Sequence, residues 1–319
     1  MSILPVEKKT IDKAVALLAD GKLVALPTET VYGLAADATN GKAVASIFAV
    51  KGRPQFNPLI VHVNSIGMAE RFVHIDSISQ KLMNAFWPGP LTLVLALKDE
   101  HTIHPLSSAG LPTLAIRQPQ GVFADIVTQL DVPLAAPSAN LSGRLSPTSA
   151  QDVSDMLGDQ IPLIVDAGAA SVGVESTIVK VTHEGVFLLR PGGVISEEIE
   201  ALIKMPLKRM EQHTAIEAPG MLKSHYAPLA KVRLNAKQVE DGEALLAFGE
   251  SRISQSQKAI AMLNLSKTAN LTEAATNLFH FLKELDQKNI AQIAVEPIPN
   301  YGLGEAINDR LQRAAAPRG

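Results

Sequence analysis

Short apolar runs cut off by proline or glycine constrain this chain more than any other feature, and residues 23–62 show the pattern most clearly. Leu23-Val24-Ala25-Leu26 fits a buried strand, and Pro27 stops it because proline has no N–H to give a ladder. The turn that follows, Thr28-Glu29-Thr30, sets two hydroxyls and a carboxylate at a strand end, where open α/β sheets hold small ligands. Apolar residues at 43, 44, 47, 48 and 50 have helical spacing, and that helix delivers Lys51-Gly52-Arg53 at its C-terminal end. Pro54 and Pro58 force an extended path through Asn57 before Leu59-Ile60-Val61-His62 resumes strand character. Two cations two residues apart on a stiffened loop, beside hydroxyls and an amide, suit a polyanion such as a nucleoside triphosphate. Taken singly, a Lys-x-Arg loop is more often solvated surface, and a histidine after a strand is more often a satisfied edge residue.

The same alternation continues. Helices are expected at 10–20, 66–73, Ser77–Phe86 and Ala150–Leu157, and strands at 91–97, Thr113–Arg117, 133–136, Leu163–Asp166, 176–179 and 187–190. The strand at 113–117 ends on Arg117, a cation that needs an anionic partner if it is buried beside apolar residues. Ser138 and Asn140 follow another strand end, where they either cap the turn or face a ligand. Apolar periodicity lapses over 206–230, yet Met221, Leu222, Lys223, Ser224, His225 and Tyr226 are too varied for a plain spacer, so this linker folds over something. Beyond it, strands at 244–248, 259–263 and 290–295 alternate with helices at 271–285 and 304–315, a small parallel α/β domain.

With 319 residues, 46% of them hydrophobic, the chain has core enough for two domains. It has no cysteine, which excludes disulfides, a thiolate nucleophile and Cys-ligated zinc. No apolar run reaches the roughly 18–20 residues that cross a bilayer, and charges interrupt the N-terminal segment, so no membrane role and a cytoplasmic location are expected. A formal net charge of −3 excludes a wholly basic nucleic-acid coat, though a local basic patch fits within it. Walker A, H-E-x-x-H and G-x-S-x-G motifs are absent, so a nucleotide site must be assembled from scattered side chains.

PTETVYGL at 27–34 followed by KGRPQFNPLIVH at 51–62 resembles the YrdC-like threonylcarbamoyl-AMP synthases. The resemblance continues through WPGPLT at 87–92, the K-x-R of Lys51 and Arg53 with the S-x-N of Ser138 and Asn140, and the cation ending 187–190. The APGM and HYAP pieces of the linker, with residues 301–310, resemble the long two-domain members. Ala167 and Lys180 depart from the family, which usually has a glycine and often an acid there. The resemblance implies an open twisted YrdC-like α/β domain with a concave pocket at 1–207, an ordered linker acting as a lid at 208–231, and a smaller Rossmann-like parallel α/β domain at 232–319. It implies a nucleotidyltransferase that joins L-threonine, bicarbonate and ATP into L-threonylcarbamoyladenylate and pyrophosphate, with Mg2+ accompanying the ATP. The product serves a tRNA-modifying threonylcarbamoyl transferase that acts on the adenosine beside the anticodon. Carried over residue by residue, Thr30, His62, Arg117, Ser138 and Ser176 hold threonine, with Arg117 on its carboxylate. Lys51, Arg53, Asn57, Thr113, Asn140, Thr148, Arg190 and Tyr226 hold ATP. No covalent catalytic residue and no protein metal site are expected. One rival is an RNA-binding translation or ribosome-associated factor, with tRNA or another structured RNA in the basic concavity. It would show salt-sensitive RNA binding without pyrophosphate release. A second rival, a carbamoyl-phosphate-using enzyme, carries cysteine-rich modules that this chain lacks.

Overall fold

The computed structural model describes residues 2–209, 216–221, 225–287 and 290–317. Of the expected linker, residues 210–215 and 222–224 lie outside them. The described residues form two sheets, each buried against helices. The larger contains β1 (Ser2–Pro5), β2 (Val24–Leu26), β3 (Gly33–Asp37), β4 (Ile60–His62), β5 (Leu91–Ala96), β6 (Thr113–Arg117), β7 (Leu134–Ala135), β8 (Leu163–Asp166), β9 (Thr177–Thr182), β10 (Gly185–Arg190) and β11 (Lys208–Arg209). Their spatial order is β1-β8-β2-β3-β7-β4-β6-β5-β9-β10-β11. It is a mixed sheet: β4 pairs in parallel with β6 and β5 with β9, whereas β7 runs antiparallel to β3 and β4, and β5 to β6. Its helices are α1 (Lys8–Ala19), α2 (Gly41–Lys51), α3 (Ile66–Ala69), α4 (Ser77–Phe86), α5 (Pro105–Ser108), α6 (Val122–Leu130), α7 (Ala150–Leu157) and α8 (Ser196–Ile203).

Local chemistry explains the element that carries the Lys-x-Arg loop. Asn40 caps α2 by accepting from the backbone N–H groups of Lys42 and Ala43, and Gly52 closes it in the left-handed region at φ 58°. Val44, Ile47 and Phe48 bury its inner face, so Lys51 is carried into the interior rather than out to water.

The second sheet holds β12 (Lys231–Arg233), β13 (Glu243–Ala247), β14 (Met262–Asn264) and β15 (Gln292–Val295) in the order β12-β15-β13-β14, all parallel, with α9 (Leu271–Asp286) and α10 (Leu303–Ala315). Its core includes Val31, Leu145, Val174 and Tyr226, contributed from outside this sheet and its helices, so the two sheets share apolar surface. No helix among the described residues is long and apolar enough to cross a membrane.

Several expected elements differ in extent, two of them for a visible reason. The helix expected at 66–73 ends at Ala69, because Val73 is drawn into a bridge with Leu97 beside β5. The strand expected at 259–263 shifts to 262–264, where Met262 pairs with Leu245. The mixed sheet also places site residues at both kinds of strand terminus: Arg117 and His62 close β6 and β4, but Ser176 precedes β9.

Candidate active site

β6 presents Thr113, Ala115 and Arg117 on one face, and the parallel register sets Arg117 beside His62. The Arg117 guanidinium is buried and donates from Nε to the Gly89 carbonyl at 3.1 Å, from Nη1 to Thr30 Oγ1 at 3.0 Å and from Nη2 to Glu29 Oε1 at 2.6 Å. Its anionic partner within the chain is therefore Glu29, the carboxylate of the first polar turn. Burial and the Arg117 charge push the His62 imidazole down to about 3, so it is neutral near pH 7. It packs on Phe123 at 4.7 Å, and Nδ1 has no hydrogen-bond partner among the described residues.

A second group forms around α2. Lys51 Nζ donates to the Ser138 carbonyl at 2.6 Å, to Asn140 Oδ1 at 3.1 Å and to the Asn140 carbonyl. Burial and neighbouring Arg53 lower its pKa, but three oxygens are a full set of acceptors only for an ammonium, and we read it as charged. Asn140 Oδ1 also accepts from Ser138 Oγ at 2.6 Å, so the lysine fixes the 138–140 turn from behind. Arg53 donates from Nε to the Asn57 carbonyl at 3.1 Å and from Nη2 to the Pro58 carbonyl at 2.7 Å. Both polar side-chain atoms of Asn57 are buried without a partner among the described residues.

The third group is Ser176, Arg190 and the linker. Arg190 Nη2 reaches the Ser176 carbonyl at 2.9 Å and Ser176 Oγ at 3.1 Å, and Nη1 reaches the Pro219 carbonyl at 3.3 Å. Gly220 (φ 84°) passes so close that a Cβ there would lie 2.8 Å from Arg190 Cδ and 2.9 Å from the Tyr226 hydroxyl. Tyr226 is itself held at φ 58° and almost completely buried. Glu175 accepts from Ser146 Oγ and from Arg310 Nε, the latter at 2.7 Å. Burial raises its pKa, but the Arg310 and Arg190 charges outweigh that and hold it at about 2.

These groups enclose one cavity of about 50 Å³. Of the residues expected from sequence, Thr30, Arg53, His62, Arg117, Ser138, Ser176, Arg190 and Tyr226 line it. Lys51 and Asn140 stand behind its wall, and Asn57 lies at the Arg53 loop. Thr113 lies two residues before Ala115 on the Arg117 face of β6, and Thr148 is hydrogen bonded to Asp152 at the start of α7. Glu175, Gly220, His225 and Arg310 were not among the site residues expected from sequence. For Arg310 a signal existed, because 306, 307, 310, 311 and 314 form the buried face of a helix and a lone cation there needs a partner.

Fold and cavity together define a two-sheet α/β protein in which buried guanidiniums face a small hollow lined in part by the linker to a second domain. The Sua5, YciO and YrdC family model, described as telomere recombination, matches residues 16–192, and the model for the threonylcarbamoyl-AMP synthase C-terminal domain matches 194–316. The chain is 37% identical to the threonylcarbamoyl-AMP synthase of Bacillus subtilis, over 97% of this chain and 93% of that one. It is 38% identical to that of Pyrococcus abyssi, over 98% and 96%. The crystal structure of P. abyssi Sua5 complexed with L-threonine superposes with a TM-score of 0.90 at 35% identity, covering 99% of this chain and 98% of that one. This chain belongs to the threonylcarbamoyl-AMP synthase family. Its activity is the family's nucleotidyl transfer, which makes L-threonylcarbamoyladenylate, and these relatives do not favour the RNA-binding alternative.

Proposed function

We propose that L-threonine, bicarbonate and ATP meet in this cavity, the amino acid at the Arg117 end and the triphosphate at Arg53 and Arg190. The observation that carries this reading is the convergence of three buried guanidiniums, from a loop and two strand ends, on one hollow. Such like charges repel unless anions lie between them. Thr30, His62, Arg117, Ser138 and Ser176 hold threonine, whose carboxylate joins or displaces Glu29 on Arg117. Lys51, Arg53, Asn57, Thr113, Asn140, Thr148, Arg190 and Tyr226 hold ATP; Lys51 and Asn140 act by fixing the 138–140 turn, and the orphaned Asn57 amide gains a partner in the nucleotide.

The ammonium proton of threonine goes to bicarbonate, which loses water to give carbon dioxide, and the freed amine adds to that carbon and releases a second proton to leave a carbamate. A carbamate oxygen then forms a bond to the α-phosphorus as the bond to the pyrophosphate oxygen breaks, and pyrophosphate carries the electron pair away. The chain contributes positioning and charge neutralisation, which dominate phosphoryl and nucleotidyl chemistry. Neutral His62 serves as a hydrogen-bonding wall for the amino acid. Magnesium accompanies ATP as part of the substrate, held chiefly by phosphate oxygens and water. The adenylate passes to a tRNA-modifying threonylcarbamoyl transferase, and the work is cytoplasmic.

The test is an assay of radiolabelled threonine with bicarbonate and ATP, following the adenylate and pyrophosphate. Arg53→Ala and Arg117→Ala abolish threonine-dependent pyrophosphate release while circular dichroism stays unchanged. Full activity in both variants would refute the placement of substrates.

A further inference from the structure

Arg310 is the largest completely buried side chain of the described residues, and it comes from the last helix of the second domain. Its guanidinium is shared among three pieces of the catalytic side. Nε donates to Glu175 Oε2 at 2.7 Å, Nη1 donates to the Pro191 carbonyl at 2.9 Å, and Cζ sits 5.1 Å from the centre of the Tyr226 ring. Asp309, next to it on the helix, also accepts from Nη1 at 2.7 Å. Glu175 lines the cavity directly before Ser176, so a buried carboxylate stands where a polyanion is to come. Left alone it would repel phosphate through a medium of low dielectric. Tyr226 lines the same cavity from the linker, and a guanidinium against its ring face is attractive.

We propose that Arg310 is a positioning residue for the nucleotide: it neutralises Glu175 and holds the Tyr226 ring over the cavity, so that the triphosphate meets a cationic wall only when α10 is docked. The second domain thereby supplies part of the electrostatics of a site to which it gives no substrate contact. This rests on the reading above that the triphosphate lies at Arg53 and Arg190.

The experiment measures steady-state pyrophosphate release by the full chain at varied ATP and varied threonine, with thermal unfolding of each variant alongside. Arg310→Met raises the KM for ATP by about tenfold, as an uncompensated charge near phosphate should, and leaves the threonine KM within about twofold by the same argument. Glu175→Gln keeps the shape of the side chain and removes its charge, so alone it lowers the ATP KM by a few-fold. The pair Arg310→Met with Glu175→Gln recovers most of the loss, because the charge that needed neutralising is gone. A purely structural role would lower the melting temperature and affect both substrates alike. An ATP KM for Arg310→Met within twofold of the parent, or a double variant no better than Arg310→Met, overturns the proposal. Should Arg310→Met fail to fold, an unchanged or raised ATP KM in Glu175→Gln overturns it instead. Arg53→Ala separates the two readings through ATP affinity measured by calorimetry, which needs no turnover: if it leaves that affinity unchanged, the placement of the triphosphate falls and takes this inference with it. If it weakens that affinity and Arg310→Met leaves the ATP KM unchanged, only the role of Arg310 falls.

Discussion

Asn57 pays a desolvation cost that nothing within the described chain offsets, since both of its buried amide atoms lack partners there. Removing that amide therefore costs the fold little. Asn57→Ala should leave the melting temperature unchanged or slightly raised while the ATP KM rises about tenfold, the worth of one buried hydrogen bond. Thermal scans and substrate titrations on the same preparation check both halves, and a cooperative loss of stability would show that the amide serves the fold. His62 and His225 form a second case, each pushed down to about 3, chiefly by burial. Their folded pKa values lie below the unfolded value near 6.5, so between the two the unfolded chain binds more protons than the folded one. Stability is thus fully present above about pH 6.5 and falls as the pH drops toward 3, by up to about 1.4 kcal/mol per pH unit for each histidine. Urea unfolding at stepped pH should give that slope, and His225→Gln should reduce it. A slope unchanged in that variant would mean that His225 is solvated.

At the scale of elements, close backbone crossings set the site. Gly192 follows β10, and a Cβ on it would lie 2.3 Å from the Glu175 carbonyl oxygen and 2.4 Å from the Ser176 carbonyl carbon. Backbone cannot yield as a flexible side chain does, so Gly192→Ala should destabilise by several kcal/mol, on the order of 2–4, and displace Ser176. Gly220→Ala meets Arg190 and Tyr226 instead, and also needs the left-handed region. We expect it to spare the β1 to β10 core, keep the far-ultraviolet spectrum, and lower kcat/KM for ATP because the linker no longer seats. Loop 167–173 obeys the same logic across the domain boundary: a Cβ on Gly173 would lie 2.4 Å from Thr276 Cα on α9. That approach fixes α9 against the loop, and Lys283, bonded to Asp152 at 2.5 Å, ties α9 to α7.

For the molecule as a whole, the volume of the cavity is the decisive quantity. About 50 Å³ is far below the several hundred typical of nucleotide sites, so the proposed placement of ATP at Arg53 and Arg190 requires the linker to move aside. The linker is held by burial of Ala218 over Ile60, Ala115 and Ile178, and by Tyr226 in the core of the second domain. Such a movement would cost apolar contact on both sides, and the return would regain it. Deleting residues 221–226 should weaken nucleotide affinity, measured by calorimetry, by at least about tenfold, since the lid's ring contact is lost; unaltered affinity would remove the lid from the account.

Strand runs such as Thr113–Arg117 and Leu163–Asp166 and helices such as Ser77–Phe86 and Ala150–Leu157 were legible because hydrophobic periodicity, caps and prolines act over a few residues. The family and its activity were legible from contiguous motifs. Strand direction was not: β7 runs against its neighbours and β4 with β6 only because distant segments compete for the same edge, and no local pattern encodes that choice. Nor did the chain order reveal that Lys51 would turn away from the cavity to bind the 138–140 turn, that Glu29 would take Arg117, or that Arg310 would neutralise Glu175 from 135 positions away. Residue chemistry along the chain determined which charges had to be paired. Only the packing of two domains decided with whom, because burial removes water as the alternative partner and leaves each charge whatever the fold brings within reach.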